Sequence, residues 1–257
     1  MCYHKEKQLK ELKMKKILEN FKKMPLLFKI ATIAFIAALL ILLFATLAGY
    51  IGDIFFFGLF QAMFANVYGF FAVIVYFLQT LLQIVFVAAL VIAMFTKNKG
   101  NVSFVLLCKA IIISISMFLV SPFTRVTLVI SYGFRASIIS GSVIFNGLIS
   151  LLYMLGLISL AILILKGYGK FTKLAGFITG GVFLSIDIVY FVKMITAIVD
   201  SVKDFLGGAI ASGVFGLLAS VVNYCASIVL VAGFVVMCLS AALSAKGLPK
   251  QEQKEEE

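Results

Sequence analysis

A chain of 257 residues that is 63% hydrophobic and only 13% charged, with a mean hydropathy of +1.16, carries more apolar surface than a soluble fold of that length can hide. The apolar residues fall in runs of about twenty or more between short polar breaks, which predicts membrane-spanning helices and argues against a transmembrane β-barrel, whose strands would alternate. The net charge of +11 reads as an orientation signal rather than as a nucleic-acid footprint, because the lysines gather next to the spans.

Within residues 1–25, the stretch 5–24 is dense in Lys and Glu, yet Leu9, Leu12, Ile17, Phe21 and Met24 recur on one side of a helix. This predicts a basic amphipathic helix whose Lys10, Lys13, Lys16, Lys22 and Lys23 meet anionic lipid. A solvated tail that only sets orientation is the alternative. The length of the charged region and the lack of a small-residue cleavage site argue against a cleaved signal peptide.

Six spans are expected, over about 26–48, 67–95, 102–123, 138–165, 174–200 and 209–243, followed by a disordered tail at 244–257. Pro25 suits the first turn of the first span. The Phe-rich stretch after it, GYIGDIFFFGLFQAMFANVYG, suggests a short interfacial or re-entrant segment. Tyr76, Gln79, Thr80 and Gln83 share one face of the second span, and Lys109 falls early in the third. Ser142, Asn146, Ser150 and Tyr153 recur along the fourth, which ends at the turn KGYGKFTK. The sixth run is longer than a crossing needs, with a break or tilt expected near Gly213 and Gly216. LLFKIATIAF at Leu26 and LLCKAIIISI at Leu106 also match, a weak hint of repeated hairpins.

With six spans both termini share one side. All but five of the 22 Lys and Arg residues then lie on that side, the exceptions being Arg125, Arg135 and Lys203 opposite and Lys109 and Lys193 within spans. The positive-inside rule therefore predicts a cell-membrane protein with both termini in the cytoplasm.

Chemistry has little to stand on. Cys2, Cys108, Cys225 and Cys238 lack metal spacing and read as packing residues, apart from Cys2 in the basic terminus; the lone His4 supports no catalytic set. No nucleophile, metal or nucleotide motif occurs, so no enzyme and no cofactor is expected. The outstanding residue is Asp187, near the middle of the fifth span, where a carboxylate costs about 2.5–3.5 kcal/mol to insert. It calls for compensation by protonation, by Gln79, Gln83 or Asn223, or by Lys193 or Lys109, although Lys193 is rotated well away on the same helix.

Asp187, Gln79, Gln83, Tyr76, Tyr190, Asn223 and Asn146 make up a candidate polar pathway. Asp187 would either line a hydrated path for a cation or proton, or sit as a neutral hydrogen-bonded group. The all-α, six-helix class thus suits a small transporter or channel for an ion or small solute. The alternative is a non-transporting membrane subunit or scaffold of a larger assembly, with homo-oligomers or complex partners in the bilayer; the short loops favour the transporter and the Lys-rich terminus the subunit.

Overall fold

The computed structural model describes residues 19, 21–22, 24–56, 67–96, 98–120, 141–206 and 210–244. Six long helices carry the fold: α1 (Leu26–Phe56), α2 (Val67–Phe95), α3 (Lys99–Ile115), α4 (Gly141–Leu165), α5 (Thr172–Leu206) and α6 (Ile210–Ser244). Helix α3 runs on into a π-helical turn, Ser116–Val120. All six are long and apolar enough to cross a membrane, and no strand occurs among the described residues. The chain has the build of a multi-pass membrane protein.

Local chemistry sets several helix ends. The Pro25 carbonyl accepts the Lys29 amide at 3.0 Å and starts α1, consistent with proline's fixed φ. The Asn98 side chain accepts the Gly100 amide at 2.9 Å and caps α3. Thr172 secures the start of α5, its hydroxyl accepting the Tyr168 amide at 2.7 Å and donating to the Gly169 carbonyl at 2.8 Å.

Two expectations change. Helix α1 continues through Phe56: GYIGDIFF holds no proline, and its one charged residue, Asp53, does not end the helix; of the expected interfacial segment, 57–66 lies outside the described residues. Helix α6 runs unbroken from Ile210 to Ser244 through Gly213 and Gly216. Glycine weakens a helix without removing a backbone donor, so it does not end one as proline does.

Helices that follow one another in the chain pack side by side, and α6 returns against α1, so the six close into a ring, with α4 also touching α6 across it. The tightest contacts involve α6. A Cβ on Gly233 would lie 2.5 Å from the Phe35 ring on α1, and one on Gly176 would lie 2.7 Å from the Ala242 Cβ. Without a hydrophobic drive between helices in lipid, such close approach of small residues is what holds α6 to its neighbours. Hydroxyls bond across the other seams: Ser103 donates to the Ala161 carbonyl at 2.8 Å, and Ser159 and Thr179 share a bond at 2.7 Å.

At the centre five rings from five helices meet. Phe234 of α6 lies 5.2 Å from Phe35 and from Phe183, 6.1 Å from Tyr153 and 6.4 Å from Phe86. These spacings are in the favourable range for aromatic pairs. Large apolar residues such as Leu40, Phe77, Ile111, Leu155 and Ile188 are turned outward and exposed, as a lipid-facing belt requires.

Candidate functional site

The aromatic layer divides the bundle axis. On one side, towards the end where α1 begins and α6 finishes, lies a cavity of about 610 Å³ whose walls include Pro25, Met94, Asn98, Thr172, Ser240 and Ser244. On the other side a second cavity of about 400 Å³ is lined by Gln79, Gln83, Lys109, Ser116, Ser150, Tyr153, Tyr190 and Ser227, together with Leu82, Ile112, Ile113, Leu230 and Val231. Position along each helix establishes the order: Gln83 then Phe86 then Met94 on α2, Ser227 then Phe234 then Ser240 on α6. Phe234 and its ring partners separate the two spaces.

Five of the six helices supply the second cavity. α2 contributes the amides Gln79 and Gln83, one turn apart, and α4 contributes Ser150 and Tyr153 at helical spacing. Ser116 enters where α3 changes to π geometry, a local widening that recurs at functional sites.

Among the described lining residues, Lys109 is the cation of this space. It lies about 15 Å along α3 from the helix start at 1.5 Å per residue, and is only 9% exposed. Its ammonium donates to the Gln83 side-chain carbonyl and stands 5.1 Å over the Phe86 ring, a cation–π distance. Among the described residues no carboxylate lies within ion-pair distance of it, the single pair there being Lys203 with Asp200 at 3.3 Å on the surface.

The sequence-derived candidates separate. Gln79, Gln83 and Tyr190 line the polar cavity. Asp187 does not: it continues the stripe of Gly176 and Gly180 on the α6 side of α5, between Phe183 in the aromatic layer and Tyr190 in the cavity wall. One of its carboxylate oxygens is buried with no hydrogen-bond partner. Each partner considered for it from sequence is engaged or placed elsewhere. Gln83 takes Lys109, Lys193 donates to Asn146 across to α4 at 2.6 Å, and Asn223 is exposed outside the cavity. Six residues of helical rotation carry Lys193 to the α4 side of α5 while Asp187 faces α6.

Asn146 is therefore an anchor between α4 and α5. Tyr76 lies on α2 with its side chain outside the described part, as Lys10, Lys13, Lys16 and Lys23 are altogether; Lys22 is helical and exposed. Lys109, Ser116, Ser150, Tyr153 and Ser227 are cavity residues that the candidate set lacks. A lone lysine inside an apolar span was the available signal for the first.

No family model, curated protein or solved structure matches this chain. Its class rests on its own residues: six apolar helices fitting a multi-pass membrane protein, here with a cavity between them that carries polar side chains.

Proposed function

We propose that this membrane protein is a small transporter whose solute path follows the bundle axis. The observation that carries the reading is the pair of cavities lying in line, one polar and one at the opposite end of the bundle, separated by the single aromatic layer around Phe234. A solute site near the midplane, reached from one side and closed from the other, is the arrangement alternating access requires. In this conformation the layer is shut.

The concentration of Lys beside the α1 and α6 ends supports a cell-membrane orientation with the larger cavity on the cytoplasmic side. The basic residues Lys10 to Lys23 would then lie against anionic lipid. The path asks for no bond-making chemistry and no cofactor, so the protein moves its solute unchanged.

Reconstitution in liposomes tests this. Phe234→Ala should raise passive leak of small solutes over the native chain by emptying the centre of the layer. Absence of flux in both proteins under proton, cation and anion gradients, with a soluble protein co-purifying, would favour the non-transporting membrane subunit instead.

A further inference from the structure

We infer that the polar cavity is a binding site for a small organic anion, a carboxylate, with Lys109 as its charge anchor. The inference rests on the transporter reading only for the direction in which the solute moves; the site itself stands on the cavity. Three observations support it.

The first is charge. Lys109 is more than nine-tenths buried, and its partners are the neutral Gln83 carbonyl and the face of Phe86. An ammonium has three N–H donors, so two are left for a ligand. A lysine at membrane depth is costly and is ordinarily paired, and among the described residues no Asp or Glu lines this cavity. An anion supplies the missing counter-charge.

The second is the lining. Around Lys109 stand Gln79, Ser150, Tyr153 and Tyr190, all able to donate to carboxylate oxygens. Tyr153 makes no hydrogen bond to a described residue while holding its ring edge-on to Phe183 at 6.0 Å, so its position is set by ring packing and its hydroxyl is available. Charge-assisted bonds from such donors are the strong ones.

The third is size. About 400 Å³ lies in the range of small-molecule sites and is roomier than a lone halide uses. Leu230, Val231, Ile112 and Ile113 add apolar wall for a short carbon chain. Asp187 is not among the lining residues, so the described lining carries no acidic side chain.

The test is thermal unfolding and calorimetric titration of the full chain, purified in detergent, with sodium acetate, lactate, succinate and glutamate against sodium chloride. At least one carboxylate should bind and raise the unfolding midpoint where chloride does not. Lys109→Gln should weaken that binding roughly 30-fold or more, the loss expected when one partner of a buried charge pair is truncated, and Lys109→Arg should retain more of it. Gln83→Glu is the second variant: a carboxylate against Lys109 fills the anion's place, so this protein should unfold later than the native chain and bind the carboxylates no better than Lys109→Gln does.

Binding by chloride alone, by cations alone, or by carboxylates with unchanged affinity in both variants overturns the inference. The same panel in liposomes separates the two readings. Carboxylate binding without flux defeats the transporter and leaves the site; flux of a solute that persists in Lys109→Gln defeats the anion site and leaves the transporter.

Discussion

Asp187 and Lys109 are two ionisable residues at membrane depth, treated differently by their surroundings. Lys109 has a hydrogen-bond acceptor, an aromatic face and a cavity; Asp187 has a buried oxygen with no donor. A buried polar atom left unsatisfied costs about 1–3 kcal/mol, more when charged. Asp187→Asn removes the charge at nearly constant volume and should therefore raise stability by about 1–3 kcal/mol, seen as a higher midpoint in detergent thermal unfolding. A lower midpoint would mean that the carboxylate is held by a favourable interaction. If the variant is stabilised and liposome flux falls, the orphaned oxygen is kept for transport, an instance of stability given up at a functional group.

Among the elements, α6 is the one on which the others depend, since it packs on α5 and α1 and supplies the central ring of the aromatic layer. Its seam with α1 has no room. Gly233→Ala would set a methyl against the Phe35 ring, whose nearest carbon is 2.5 Å from the added atom, and overpacking of this kind costs about 1–3 kcal/mol. Gly181→Ala is the matched control: nothing lies within 4 Å of its added Cβ, so the change should be neutral or stabilising by up to about 1 kcal/mol. Thermal midpoints of the two variants beside the native chain decide this. The seam between α4 and α5 is lighter, and losing the 2.7 Å bond of Ser159 and Thr179 through Thr179→Val should cost only about 0.6 kcal/mol, the average for a bond between helices in a bilayer.

For the whole molecule, the closed ring gives two ends of different character, and the proposed orientation puts the lysine-rich end, where α1 begins and α6 finishes, in the cytoplasm. In a background lacking Cys2, Cys108, Cys225 and Cys238, Asn98→Cys should react with a membrane-impermeant maleimide only after cells are permeabilised, and Leu206→Cys should react in intact cells. The reverse pattern would invert the orientation, and with it the direction from which each cavity is reached. Both positions are exposed at helix ends, so labelling reports side rather than burial.

The all-α class and six apolar helices could be read from the chain, because a bilayer demands about twenty apolar residues per crossing and that demand is local. The polar faces of α2, α4 and α5 were legible for the same reason: helical period alone aligns Gln79 with Gln83 and Ser150 with Tyr153. Which faces meet was not, since it depends on how helices rotate against one another. The sequence drew attention to Asp187 as the isolated acid, whereas packing brought Lys109 to the cavity and left Asp187 out of its lining. Composition and period determined six helices long and apolar enough to cross a membrane; only the close contacts of Gly176 and Gly233, and the rings gathered on Phe234, decided where a polar space is left between the helices and which charge stands in it.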